Sequence, residues 1–493
     1  MRSAALPLAL VLIALSCLPL ACFDDDDDDP STSSGQADDD NDTADDDISD
    51  DDNDDTTDDD NDDITDYDTS PDDDDTTDND TGDDDTFVED WDEPYAPTPS
   101  DEIGIFVSYW GDNGNPGTMA EPVESLQIGL NLAADQNKVV FAADGIKSAA
   151  DGTISTRVSM FGGYDPHTWE RDLEHITTTR IGTLSITYTQ DDPLIVEGFS
   201  WLSEAINEYA LTVDINTDSR VILHKNRIVS GDNFNLTANS IAIRAATNTR
   251  ITLINNEILS GQAQGLYMGH SYGVKSRGDV FMRGNSVTSR ASSYFSVPVR
   301  VDNSYSKPIS VLINNELHAP SISIGEKAGF CGSGSVTLIN NTIFTGGRFS
   351  SGVELENCTA VLINNIIQNS SILPDAAAIT LTDSGISALS LINNDLVVAA
   401  NGIFLFIDEQ EISQLNDVND CQWAGCAEAQ DNISADPQFA GWTDYHLSAA
   451  SPCIDAGLNP SPWYDEEDIY FDFEGTRRPL GEGWDIGMDE YIP

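Results

Sequence analysis

From residue 220 to residue 396 the chain repeats one hydrophobic pattern. Val221-Ile222-Leu223-His224-Lys225-Asn226-Arg227-Ile228 is followed by Ile251-Thr252-Leu253-Ile254-Asn255-Asn256-Glu257-Ile258, and the frame returns at 280–287, 310–317, 336–343, 361–367 and 389–396. Apolar positions alternate within each copy, the period of a strand with one buried face. A second alternating segment precedes the copies, at Ile241/Ile243, Leu266/Met268, Val299/Val301, Ile322/Ile324, Val353/Leu355 and Ile379/Leu381. A helical solenoid needs two runs of roughly ten residues at helical period in every repeat, and the repeats have no room for them. The pattern therefore predicts an all-β solenoid in which each repeat is one turn of a parallel β-coil and successive coils stack about 4.8 Å apart.

One polar residue recurs in every copy. Asn226, Asn256, Asn285, Asn315, Asn341, Asn365 and Asn394 are spaced by 30, 29, 30, 26, 24 and 29 residues. A coil must bend between strands, and Asn tolerates the left-handed conformation better than other non-glycine residues. Stacked in register, its amide can bond the amides above and below. The column is expected to be a structural ladder. Upstream, 158–164 and 194–199 read as earlier, less regular coils. Leu126, Gly129, Leu130, Ala133 and Ala134 form a one-sided stripe at helical spacing, which predicts a short helix plugging the open end of the solenoid.

The N-terminus is a different polymer. The chain has 493 residues and a formal net charge of −67, and the segment 23–93 holds 38 acids without a Lys or Arg. It cannot bury enough apolar surface to offset ordering, so residues 22–100 are expected to be a disordered, Asp-rich tether. A calcium-binding repeat would need regularly spaced glycines, and only Gly35 and Gly82 occur there. No cofactor is expected beyond weak, nonspecific Ca²⁺ condensation. Arg2 and the apolar run to Ala21 read as a signal peptide over residues 1–21. Leu18-Pro19-Leu20-Ala21-Cys22 resembles a bacterial lipobox, with Pro19 where Leu is usual, which makes Cys22 the expected lipidation site and the membrane a partner through that anchor. Acids directly after such a Cys also resemble surface-export signals of Gram-negative lipoproteins, and the expected location is extracytoplasmic, at the outer membrane or cell surface. So acidic a molecule is a poor ligand for nucleic acid. A monomer is expected.

The remainder resembles the right-handed parallel β-helix proteins of secreted bacterial origin. The likeness is carried by Ile105-Phe106-Val107-Ser108 with Gly111-Asp112-Asn113, and by Phe161-Gly162-Gly163-Tyr164-Asp165-Pro166 followed by Trp169. Near the C-terminus, Asp436-Pro437-Gln438-Phe439, Asp444-Tyr445-His446-Leu447, Ser451-Pro452-Cys453-Ile454-Asp455-Ala456-Gly457 and Asp485-Ile486-Gly487 are similar to the choice-of-anchor Q domain. The resemblance implies a β-helix over 101–412, a C-terminal cap over 413–493 and extracytoplasmic placement, without a settled activity.

Five cysteines remain once Cys17 of the leader and Cys22 are set aside. Cys331 and Cys358 fall in neighbouring coils and could bridge them; Cys421 and Cys426, with four residues between them, could close a small loop. Cys453 reads as a small buried hydrophobe. His446, Asp455, Asp485 and Asp489 invite a metal reading, but bracing of cap turns accounts for them, and Asp472-Phe473-Glu474-Gly475 lacks the further ligands of a Ca²⁺ loop.

Two surface features carry candidate chemistry. The outward columns of the strand before each Asn strand read Ala242, Tyr267, Arg300, Ser323, Glu354, Thr380 and Arg244, Gly269, Asp302, Gly325, Glu356, Thr382. Arg300, Asp302, Glu354 and Glu356 would lie within two coils, about 10 Å. Pectate-lyase-like enzymes of the resembled fold use carboxylates for Ca²⁺ with a basic residue as base, and its glycoside hydrolases use several Asp; a solvated, salt-bridged face is the alternative. Between residues 270 and 307, Lys275, Arg277, Arg283, Arg290, Arg300 and Lys307 outnumber Asp279 and Asp302, with Tyr267, Tyr272, Tyr294, Phe295 and Tyr305 interleaved. Cations beside aromatics suit an acidic polysaccharide. The expectation is a surface-anchored, non-catalytic β-helix that contacts glycans or other surfaces; a polysaccharide lyase or glycoside hydrolase on the Tyr267–Glu356 face is the alternative.

Overall fold

The computed structural model describes residues 94–493, apart from 148–151, 175–177, 190–192, 204–208, 236–237, 265–268, 302–307, 320–325, 347–349, 374–375, 383–387, 401 and 409. The leader, Cys22 and nearly all of the tether lie outside the described residues, as do Tyr267, Asp302, Tyr305, Ser323 and Gly325. Among the described residues no helix is long and apolar enough to cross a membrane.

The chain winds as a parallel β-helix with three strands to a turn. In one turn, Asn239–Ala245 lies on a first face, Arg250–Ile254 on a second and Glu257–Leu259 on a third. The next turn stacks on it in register: Asn239 against His270, Arg250 against Asp279, Glu257 against Ser286. Two 14-residue strands, Glu326–Ile339 and Ser350–Ile363, run across the corner between the first two faces and join them into one 21-stranded sheet; the third face forms a ten-stranded sheet. Alternation decides what is inside. Val221/Leu223, Ile251/Leu253, Val280/Met282, Val336/Leu338 and Leu389/Leu391 meet Ile228, Ile258, Val287, Ile343 and Leu396 in one continuous core. The predicted helix is Leu126–Gln136, and its buried Leu126, Leu130 and Ala133 close the first coil.

The Asn column is a ladder. Each Oδ1 accepts both the backbone N–H and the Nδ2 of the Asn one coil earlier, the former at 2.9–3.0 Å, from Asn226 through Asn394. Each Nδ2 also donates to a backbone carbonyl of the preceding coil, as Asn341 does to Leu312 O at 2.8 Å. Two rungs went unread in the sequence: Asn394 bonds Asn432, and Asn432 pairs with Asn419 of the helix Leu415–Asn419, which ends the series. At the other end Phe199 N–H occupies Asn226 Oδ1.

The left-handed bend is not made by the ladder residues, contrary to expectation. It falls on the residue before each: Lys225, Asn255, Gly284, Asn314, Asn340, Asn364 and Asn393, with φ of 49–63°. The two jobs separate because the left-handed residue turns the chain and thereby aims the following side chain into the corner. The opposite corner holds hydroxyl pairs that the sequence reading missed, Ser230–Ser240, Ser260–Ser271 and Ser289–Ser296, at 2.6–2.9 Å.

The C-terminal region divides. Residues 413–432 do cap the solenoid end, with Val418 and Trp423 entering the core and a Cys421–Cys426 disulfide closing the loop. Residues 433–493 instead run back along the flank of the coils. The left-handed asparagines dock them: Asn393 Nδ2 donates to Ala456 O, Asn364 exchanges two bonds with Leu458, and Asn314 donates to Phe471 O. Within the flank, Arg478 is fully buried against Glu490 and the carbonyls of Asp485 and Gly487. A Cys331–Cys358 bridge is not formed. Cys331 lies opposite Glu354 and Cys358 opposite Gly334, which separates them by about 10 Å along the strands, beyond disulfide reach. Cys453 is buried as expected; its thiol donates to Asp395, and burial with that carboxylate pushes its pKa up.

Near the N-terminal end, buried Glu197 accepts from Arg171 at 2.8 Å, His224 at 2.6 Å and Tyr95 N–H at 3.1 Å, tying the incoming segment to the coils. Burial would raise this carboxyl, but the His224 hydrogen bond and the Arg171 charge outweigh it and hold the pKa below its usual 4.5. A depressed folded value means the contribution is present at neutral pH and disappears as the pH falls below 4.5 and through the folded value.

Three outcomes are expected from chemical denaturation. Asn341→Ala strands the Asn315 donors and Leu312 O, costing about 3 kcal/mol or more, whereas Lys225→Asn, which relieves a left-handed lysine, gains up to about 1 kcal/mol. Glu197→Gln lowers stability at pH 7, and the difference from wild type shrinks as the pH is lowered past 4.5.

Candidate functional site

The first face carries a charged outer column. Register aligns Asp214, Arg244, Lys275, Arg300, Cys331, Glu354, Thr380 and Phe406, one per coil. Arg300 and Glu354 thus stand two coils apart, about 10 Å as expected, with Glu356 two residues further along the same strand. The rest of the expected alignment changes. Leu266, Tyr267 and Met268 lie outside the described residues. Arg300 lines up with Arg244 and Lys275, not with Ala242, because the strand of that coil that pairs in register is His270–Ser276. Tyr272 and Gly273 disguise its alternation. Likewise Glu326–Ile339 continues the face, and Ile322 and Ile324 lie outside the described residues.

The cations do not gather into one patch. Arg244 is held bidentately by Asp214 at 3.0 and 2.8 Å. Lys275 Nζ lies 5.2 Å from the centre of the Tyr272 ring, and the Arg300 guanidinium is 6.0 Å from Tyr272 and 5.5 Å from Phe295. Beneath them Tyr272 bonds His270 at 2.8 Å, and His270 packs on Tyr294. This cluster is closed, since Tyr272 is 2% and Arg300 7% exposed. Arg277 sits exposed at the next corner. Arg283 faces the C-terminal flank on the second face, paired with Asp468. Arg290 follows the third face, 3.7 Å from Asp232. Sequence neighbours part because a coil places successive strands on different sides of the prism.

A groove of about 250 Å³ opens between the third face and the flank. Its floor is His318 and Phe344 from consecutive coils, and its wall is Phe439 and Tyr445, with Phe344 and Tyr445 ring centres 4.2 Å apart. Gln368 and Ser370 add polar groups, and Trp442 stands on the rim 99% exposed. Among the described residues no Lys or Arg lines it. Burial lowers the His318 pKa, favouring the neutral ring, and raises that of Tyr445, an effect Glu316 reinforces. Aromatic faces open to solvent beside an amide and hydroxyls are suited to a ligand with apolar faces and hydroxyl edges. The only sequence signal was the aromatic turn Trp442-Thr443-Asp444-Tyr445-His446 in an acidic region.

Behind Tyr445 lies a second cluster. His446 Nδ1 is 2.5 Å from Asp444 Oδ1, its Nε2 is 2.9 Å from Glu474 Oε1, and the ligand atoms of His446, Glu474 and Asp489 lie within 4.8 Å of one another. Burial pushes Glu474 up to about 7, with Asp472 and Asp489 adding to the shift against the opposing effect of His446. His446 is raised as well, its partner carboxylates outweighing burial. Asp455 and Asp485 stand apart from this cluster and brace turns: Asp485 accepts the Asp455 and Tyr491 N–H groups and Asp455 accepts that of Gly483, all at 2.7 Å. Asp472 likewise braces its own turn through the Glu474 and Thr476 N–H groups.

No family model and no curated protein matches the chain. Among solved structures, the pectate lyase Pel9A is similar at 12% identity and a TM-score of 0.39, covering 79% of this chain and 96% of its own. The GH136 lacto-N-biosidase from Eubacterium ramulus is similar at 9% identity and a TM-score of 0.23, covering 67% of each chain. Likenesses this slight say nothing about the chemistry of this chain.

Proposed function

We propose that this protein is a surface-anchored, non-catalytic β-helix that binds a neutral polysaccharide in the groove between its third face and its C-terminal flank. One observation carries the reading: Trp442 projects fully exposed beside the Phe344–Tyr445 stack and the polar Gln368 and Ser370. An exposed ring that continues an aromatic patch rimmed by polar groups marks a contact surface, and flat rings flanked by hydrogen-bonding groups match the faces and edges of sugar rings. Neutrality follows from charge. A polyuronate would meet a molecule of net charge −67 in a groove whose described lining holds no Lys or Arg. The leader, with Cys22 as lipid site, and the acidic tether supply the anchoring half of this proposal.

The Arg300–Glu354 alignment supports a second reading, cleavage of an acidic polysaccharide along the first face. One experiment separates them. The full chain is titrated with neutral glucans, xylans and chitin oligomers and with polygalacturonate and alginate, following binding, reducing ends and unsaturated-product absorbance. Binding of a neutral glycan, weakened roughly tenfold by Trp442→Ala and untouched by Arg300→Ala, is expected. Turnover of a uronate polymer abolished by Arg300→Ala would instead establish the lyase.

A further inference from the structure

Three loops of the flank meet at the cluster behind Tyr445: the turn carrying Asp444 and His446, the turn carrying Glu474, and the chain near the C-terminus at Asp489. Their charges do not balance. Three carboxylates surround one imidazole, and no Lys or Arg is ion-paired to any of them among the described residues. Asp489 is the sharpest case. The residue is 6% exposed, one of its oxygens accepts the Leu447 N–H at 2.7 Å, and the other makes no hydrogen bond among the described residues. That second oxygen is not sealed from solvent, and a carboxylate oxygen of Asp489 lies within 4.8 Å of ligand atoms of both His446 and Glu474.

We propose that His446 Nε2, Glu474 and Asp489 form a binding site for a divalent transition-metal ion of the Zn²⁺ class, with Asp444 as the positioning residue. The donor set decides the class. One imidazole nitrogen and two carboxylates suit Zn²⁺ or its neighbours, whereas Ca²⁺ takes six or more oxygens at longer range. Asp444 accepts from Nδ1, which leaves the Nε2 lone pair for the metal, the carboxylate–imidazole arrangement that fixes a metal-bound histidine. Ligand atoms around a tetrahedral ion lie about 3.3 Å apart. The 2.9 Å contact between Nε2 and Glu474 has only to open slightly, while the wider separations close by rotation of half-exposed side chains. The proton shared across that contact leaves to solvent. Three protein ligands keep a fourth position for water on the exposed side. The ion ties the three loops together and so steadies the turn that presents Tyr445 and Trp442, although the site does not depend on what the groove binds.

The test uses Co²⁺ as a spectroscopic probe on the full chain, with excess Mg²⁺ present to occupy the tether carboxylates. A low-coordinate site containing nitrogen gives intense visible absorption, unlike Co²⁺ in water or on scattered carboxylates. The expected result is saturation at one Co²⁺ per chain, displacement by one equivalent of Zn²⁺, and loss of the signal in Glu474→Gln and Asp489→Asn. Asp444→Asn should weaken binding by about 10–100-fold. Glu474 is exposed, so Glu474→Gln decides even if Asp489→Asn fails to fold. Absorption that never saturates at one equivalent, or an intact signal in Glu474→Gln, would overturn the site.

Discussion

The inner corner between the second and third faces is where this structure is held. A coil that turns inward there must bury backbone N–H and carbonyl groups that no strand can satisfy, and water cannot reach them. An Asn side chain carries both a donor and an acceptor on a short stem, so one residue type repeated once per turn satisfies the coil before and the coil after. Each rung holds its neighbours' backbone as well as their amides. The strand register on all three faces follows from this, because coils locked at one corner have little freedom to slip at the others. The closure by Asn419 and Asn432 has the same cause: the last amide in a buried file needs a partner, and the end cap supplies one.

The residue before each rung has the complementary role. Held left-handed, it turns the chain, and its own side chain then lies outside the corner. At Asn393, Asn364 and Asn314 the amide of that residue receives a passing chain, and the C-terminal flank lies along them in that way. A single dipeptide thus builds the interior and offers the docking rail for the exterior. The groove and the His446 cluster both exist because the flank lies beside the coils instead of over their end.

The Asn column, the alternating strands and the plugging helix were legible because each follows from local periodicity, and a solenoid is close to one-dimensional: contacts join positions one repeat apart. The pairing of Cys421 with Cys426 was legible for the same reason, being local. Legibility failed where a strand lost its alternation. Tyr272 and Gly273 hid one strand, and the outer column drawn through Tyr267 was displaced with it. It failed again where sequence proximity was taken for spatial proximity. Arg283, Arg290 and Arg300 are near in the chain, but ten residues carry a coil from one side of the prism to another, and each cation found a different neighbour.

The amino-acid sequence by itself determined the coil, its stacking and the identity of its buried polar file, since these rest on repeats that every turn restates. Only the tertiary structure decided where the last sixty residues lie, and with them the aromatic groove and the cluster of His446, Glu474 and Asp489. Those features are made between segments that share no periodicity, by single contacts such as Asn364 with Leu458 and Phe344 with Tyr445. A contact made once leaves no pattern in the chain, so its location is set by packing and becomes visible only in three dimensions.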